Sequence, residues 1–146
     1  MTRLRFEDVA NNDPSFRVAL EWEGLPTDDL DKFGSNYFML RDDKERIGYI
    51  GMEGAGPDAL LRSLVVRRPH TGKGYGRILV IHLEEMARGC LIERLHLLTS
   101  VKTQFFFEAC GYRVADRGTA PPAIACTAQF RTLCPADAPY MTKSLT

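Results

Sequence analysis

Six residues, Thr71-Gly72-Lys73-Gly74-Tyr75-Gly76, separate an apolar run, Ala59 to Val66, from the amphipathic stretch RILVIHLEEMARG. Glycines at such a junction let the backbone approach a ligand with no Cβ in the way. The free N–H groups of a first helical turn, with the positive end of the helix dipole, suit a pyrophosphate. Lys73 and Arg77 add positive charge at the same place. Two familiar nucleotide loops do not fit, because G-x-G-x-x-G is not met and no Lys-Ser or Lys-Thr follows the last glycine. A plain strand-to-helix turn accounts for the same residues and stays open on this pattern alone.

Upstream, Glu53 closes one apolar run while Arg62 and Ser63 sit in the middle of the next. A carboxylate beside a guanidinium reads in two ways. Burying Arg is costly unless it is paired, so Glu53 and Arg62 form a structural ion pair on one reading. On the other, Glu53 is a general base that takes a proton, through water, and Arg62 or Arg67 binds a carboxylate or oxyanion with its bidentate fork. Successive residues of a strand point to opposite faces, so Arg62 and Ser63 are not expected to line one pocket wall together. Of the histidines, His70 adjoins the glycine loop and is the alternate base, while His82 and His96 read as helix and strand residues. Cys90, Cys110, Cys126 and Cys134 form no C-x-x-C pair, so reduced thiols are expected and neither a zinc site nor a redox pair is signalled.

These residues need elements to hold them. Leu4 to Phe6 reads as a first strand. Pro14 to Glu23 reads as a helix with Asp13 as its cap and Gly24 as its stop, and a short second helix is expected to begin at Thr27. Tyr37 to Leu40 and Ile47 to Glu53 make a hairpin about the charged turn Arg41 to Arg46. The turn GAGPD, Gly54 to Asp58, leads to the buried strand 59–66. A helix over 75–88, closed by Gly89, and a strand over 94–99 complete a βαβ unit whose two strands run parallel. A short aromatic helix, Gln104 to Cys110, a strand from Tyr112 to Asp116, a helix-like stretch from Ala123 to Leu133 and a last strand near Tyr140 to Lys143 follow. The sum is an α/β (α+β) domain over residues 1–146, with a mixed sheet of about six to seven strands and helices on both faces.

Composition narrows the function further. The 146 residues carry 19 Lys plus Arg against 19 Asp plus Glu, a balance that argues against a nucleic-acid-binding surface. No uncharged apolar run is long enough for a membrane span, and the polar opening MTRLRFEDVANND argues against a secretory signal, so a cytoplasmic protein is expected.

The glycine loop resembles the acetyl-CoA signature of the GNAT superfamily of N-acetyltransferases, Q/R-x-x-G-x-G/A after a central strand. Thr71 stands where Gln or Arg is usual, and Gly74 and Gly76 match. The aromatic helix followed by Gly111-Tyr112 resembles the second signature, Y-E-K-x-G-F/Y, with Phe107 in the tyrosine place. GLPTDDL, GMEGAGPDALLRSLVV and PPAIACTAQFRTLCP are together similar to a small GNAT branch found among arsenic-resistance genes.

The resemblance implies an enzyme that moves an acetyl group from acetyl-CoA to the primary amine of a small, amino-acid-like acceptor, with no metal. It places the pyrophosphate on Thr71, Gly72, Lys73, Gly74, Tyr75, Gly76 and Arg77, and the pantetheine arm along the backbone of Leu64, Val65 and Val66, with Phe107 beside it. Arg62 and Ser63 become acceptor-binding residues. Phe107 has no hydroxyl for the leaving thiolate, so Tyr112 is the replacement acid, or the thiolate leaves unassisted. A homodimer joined through the tail is implied as well. The rival readings are a non-catalytic acetyl-CoA-binding module and a protein-directed acetyltransferase.

Overall fold

The computed structural model describes residues 3–54 and 56–146. Met1 and Thr2 of the polar opening and Ala55 of the GAGPD turn lie outside the described residues. Seven strands form one sheet in the order β1-β2-β3-β4-β5-β7-β6, with β1 Arg5–Val9, β2 Ser35–Arg41, β3 Arg46–Glu53, β4 Asp58–Val66, β5 Arg94–Leu98, β6 Arg113–Ala115 and β7 Tyr140–Ser144. The pair β4 and β5 is parallel, and every other neighbouring pair is antiparallel. The mixed α/β sheet expected from the sequence is therefore present.

Helix α1, Pro14–Trp22, starts as the residue types dictate: proline occupies the first turn and Asp13 Oδ1 accepts from the Phe16 N–H at 3.0 Å. The same carboxylate holds the Arg46 guanidinium at 2.7 Å, which fastens the helix start to β3. Phe16 and Leu20 point inward onto Tyr37, Met39, Tyr49 and Val65. The expected second helix at Thr27 does not form. Residues 28–31 make turns instead, because Leu30 is drawn into the α1 core and the Asp29 carboxylate is bound to a side chain on β4, as described below.

On the other face lies α2, Tyr75–Gly89, with Leu79, Val80, Leu83 and Ala87 packed against Ile47, Ile50, Leu61 and Leu95. Helix α3, Val101–Ala109, begins earlier than the aromatic residues suggested, because Ser100 and Thr103 cap each other reciprocally. Two apolar layers thus sandwich the sheet, as its two buried faces require.

The stretch Ala123 to Leu133 is not one helix. It divides into α4, Pro122–Ala125, and a π-helical turn, Gln129–Leu133, in which the Cys134 N–H donates to the Gln129 carbonyl at 3.1 Å. Arg117 explains the break: its guanidinium donates to the carbonyls of Phe130, Pro135 and Ala136 at 3.0 to 3.2 Å, and so gathers a wide tail loop instead of a regular helix. Among the described residues no helix is long and apolar enough to cross a membrane.

Candidate active site

The parallel pair supplies the site. β4 and β5 are hydrogen-bonded only where Asp58, Ala59 and Leu60 face Arg94, Leu95 and His96. Beyond Leu60 the strands part, and a cavity of about 790 Å³ opens between them. Its walls are Leu61 to Val66 on one side and Leu97 to Thr99 with the start of α3 on the other. The tail residues Gln129 and Leu133 to Pro135 close it on a third side.

A bulge in β4 explains the parting. Tyr49 faces Val65 and Gly51 faces Arg62, so Ser63 and Leu64 together oppose Ile50 alone. Ser63 takes φ +58°, a left-handed conformation rare for a residue with a side chain. The bulge also breaks the alternation of the strand, so that Arg62 and Ser63 both line the cavity, contrary to the expectation that one strand turns them to opposite faces.

Arg62 is fully committed. Its two terminal nitrogens form a bidentate pair with Asp29 at 2.6 Å each, one of them also donates to Glu53 Oε1 at 2.8 Å, and Nε donates to Ser63 Oγ at 3.1 Å. The guanidinium lies 5.8 Å from the centre of the Tyr37 ring. Gly51 makes room for this stack, since a Cβ there would come within 2.6 Å of the Tyr37 ring. The partner of the Arg62 fork is thus Asp29, a residue that the sequence reading missed, and no fork remains for an acceptor carboxylate. Two carboxylates thus share one guanidinium in this buried cluster.

Glu53 does not line the cavity, so its carboxylate stands as the partner of Arg62 and not as a base at the reacting centre. Arg67 lies outside it too and donates to the Arg46 carbonyl at 2.8 Å. His70 is buried away from the cavity, with Nε2 2.7 Å from Glu45 Oε1 and its ring edge-on to Tyr75. Tyr112 belongs to the α2 core, where its hydroxyl donates to Glu84 Oε2 at 2.9 Å and Lys143 holds the same carboxylate. Burial and the Glu84 charge push the phenol pKa far up, the reverse of what a proton donor to a thiolate needs.

The glycine loop adjoins the cavity. Thr71 lines it together with Leu64, Val65, Val66 and Phe107, whereas Gly72, Lys73, Gly74, Tyr75, Gly76 and Arg77 continue from Thr71 into the first turn of α2. Gly74 precedes the helix at φ +86°, and no side chain caps the first-turn N–H groups. Gly76 has a packing reason as well, because a Cβ there would come within 3.2 Å of the Phe106 ring. A second hollow of about 500 Å³ between α1 and the end of β4 shares Glu23, Val65 and Val66 but touches neither the glycine loop nor β5.

Two further features escaped the sequence reading. Cys134 and Gln129 come from the tail into the cavity wall. Burial raises the Cys134 thiol pKa and nearby Arg62 lowers it, with burial prevailing. At the paired end of the parallel strands, His96 Nε2 lies 2.7 Å from Asp58 Oδ1 and Nδ1 2.7 Å from the Tyr140 hydroxyl, a chain in which His96 and Tyr140 are buried and Asp58 partly so.

A mixed sheet whose central parallel strands part at a bulge, beside a glycine turn at a helix start, defines the acyltransferase class to which the sequence pointed. Residues 3–112 match the Acetyltransferase (GNAT) family, and the chain belongs to it. No curated protein matches in sequence. In structure it is similar to N-acetylglutamate synthase from Neisseria gonorrhoeae complexed with coenzyme A and N-acetyl-glutamate, at 18% identity and a TM-score of 0.77, covering 100% of this chain and 35% of that one. The chain spans about a third of that synthase's length. It is also similar to an acetyltransferase of the GNAT family from Staphylococcus aureus Mu50, at 14% identity and a TM-score of 0.75, covering 99% of this chain and 100% of that one. An acetyltransferase from Bacillus subtilis in complex with CoA gives 14% identity and a TM-score of 0.75, again covering 99% and 100%. At such identities the likeness concerns the fold.

Proposed function

We propose that this chain transfers an acetyl group from acetyl-CoA to a primary amine of a small acceptor. The observation that carries the reading is the parting of β4 and β5 beyond Leu60, which leaves unpaired strand backbone facing a cavity next to an uncapped helix start. An extended pantetheine arm adds to such a backbone as a further strand does, and the first-turn N–H groups of α2, with Lys73 and Arg77, receive the pyrophosphate. Acetyl-CoA brings the activated thioester. The backbone N–H groups of Leu64 to Val66 polarise its carbonyl at no cost in side chains.

No side-chain acid or base is assigned. Tyr112 is committed to Glu84 and Glu53 to Arg62, and a thiolate of ordinary thiol pKa leaves into water near neutrality without a donor. The similarity to the arsenic-linked branch supports an amino-acid-like acceptor. With the Arg62 fork taken by Asp29, Lys102 on α3 is the cavity-lining cation with no ion pair among the described residues. The dimer expected through the tail needs a different edge, because β7 is flanked by β5 and β6 over Tyr140 to Thr142, which leaves β6 outermost.

Incubation with acetyl-CoA and a panel of free amines, following thiol release, tests the proposal. Turnover with at least one small amine is expected. A protein that acetyl-CoA stabilises in thermal melts but that releases thiol with no amine is a binding module, and one that acetylates only peptides is a protein-directed enzyme. Either outcome overturns the reading.

A further inference from the structure

Gln129 is 4% exposed, lines the cavity, and its side-chain carboxamide has no hydrogen-bond partner among the described residues. The amide atoms are not sealed off from the cavity, so water takes their hydrogen-bonding positions until a ligand displaces it. The backbone that presents it is the π-helical turn Gln129–Leu133, an irregular helix of a kind that recurs at functional sites. Across the cavity, on β4, Ser63 Oγ accepts from Arg62 Nε, so its own proton is free to be donated elsewhere. Two walls of one cavity therefore carry polar groups with capacity left over. Ser63 comes from the bulge that parts the strands, and Gln129 comes from the tail that covers them.

We propose that Gln129 is the residue that receives the acceptor amine, its Oε1 accepting an N–H from the primary amine across the cavity from Ser63. This rests on the transferase reading above. The choice of a carboxamide over a carboxylate has a chemical sense. The amine must be neutral to attack a thioester, and a carboxylate beside it stabilises the ammonium form and raises its pKa, whereas a neutral amide orients the nitrogen without holding its proton.

Nitrogen-15 spectra of the full chain test the assignment, with the Gln129 side-chain NH2 pair identified by its loss in Gln129→Leu. Ethanolamine, putrescine and L-glutamate are titrated separately, with and without saturating CoA. At least one amine is expected to move the Gln129 pair. Amines that shift only other resonances, or none, overturn the proposal, as does a Gln129 pair that responds to CoA alone. Failure of CoA to shift the backbone amides of Leu61 to Val66 is a separate result and counts against the transferase reading. In turnover, Gln129→Leu is expected to raise the amine KM about tenfold with the acetyl-CoA KM unchanged. Gln129→Glu, of the same size, is expected to move the rising limb of the pH profile of kcat/KM to higher pH. A Gln129→Leu variant that melts as wild type and keeps its amine KM refutes the assignment.

Discussion

Arg62 and Asp29 meet through two parallel hydrogen bonds of 2.6 Å, both side chains removed from solvent, and join a strand to a loop thirty-three positions earlier. Breaking one side of such a pair strands the other charge, at a cost of about 3–5 kcal/mol. Asp29→Ala is therefore expected to lose that much in denaturant unfolding. Glu53→Gln, which removes the weaker partner, should lose about 1.5–3 kcal/mol, the worth of a hydrogen bond to a charged group. Turnover per folded Glu53→Gln molecule should hardly change. A hundredfold loss of kcat at unaltered stability would restore Glu53 to the chemistry.

Tyr112→Phe separates the structural from the catalytic reading of that phenol. The variant loses one hydrogen bond to Glu84, which keeps Lys143, so a cost of about 1 kcal/mol is expected. The rate of thiol release should match wild type, and a drop of a hundredfold with the melting point retained contradicts the assignment.

His96 makes stability depend on pH. Burial lowers its pKa below the ordinary 6.5, against the opposing pull of the Asp58 carboxylate. In the unfolded chain the ring takes up a proton below pH 6.5, while in the folded chain it resists until a lower pH. Stability is thus fully present above 6.5 and falls as the pH drops through that value toward the folded pKa, by at most about 1.4 kcal/mol per pH unit. Unfolding midpoints measured from pH 8 to pH 5 should show this slope beyond what carboxylates contribute, and His96→Gln should flatten it.

Gly74→Val tests the loop. No atom lies within 4 Å of a Cβ built there, so crowding inside the protein is not the difficulty. The strain comes from φ +86°, which a β-branched residue tolerates badly, at about 1–2 kcal/mol. The variant is expected to fold with a lowered melting point and to lose the rise that saturating acetyl-CoA gives wild type. A rise of wild-type size in Gly74→Val argues that the cofactor does not approach this loop.

The helix α1, the hairpin, the βαβ unit and the glycine turn were legible because local rules govern them: a proline after an Asp cap, apolar residues at helical spacing, glycines where φ must be positive. Arg62 was legible as needing a carboxylate, but local patterning could not reveal that Asp29 competes with Glu53 for it. The bulge at Ser63 was hidden for a related reason, since no glycine or proline marks it and its left-handed φ is imposed by neighbours. The tail misled because Ala123 to Leu133 reads as a helix, whereas Arg117, a few residues before it, takes the Phe130 carbonyl together with those of Pro135 and Ala136 just beyond. Gln129 gave no signal, as its place in the cavity wall is set by the fold of the tail.

Strand β7 pairs Arg94 with Ser144 on one side and Arg113 with Thr142 on the other, so β5 and β6 meet only through a strand made later than both. Until Tyr140 to Ser144 arrive, β5 presents a bare, apolar edge with its parallel partner attached by three residues. Closure then depends on a contact between distant positions, whose loop entropy comes due before the pairing can compensate it. Refolding of this chain should be limited by capture of β7, and the exposed β5 edge is the surface on which the half-formed molecule is most prone to aggregate.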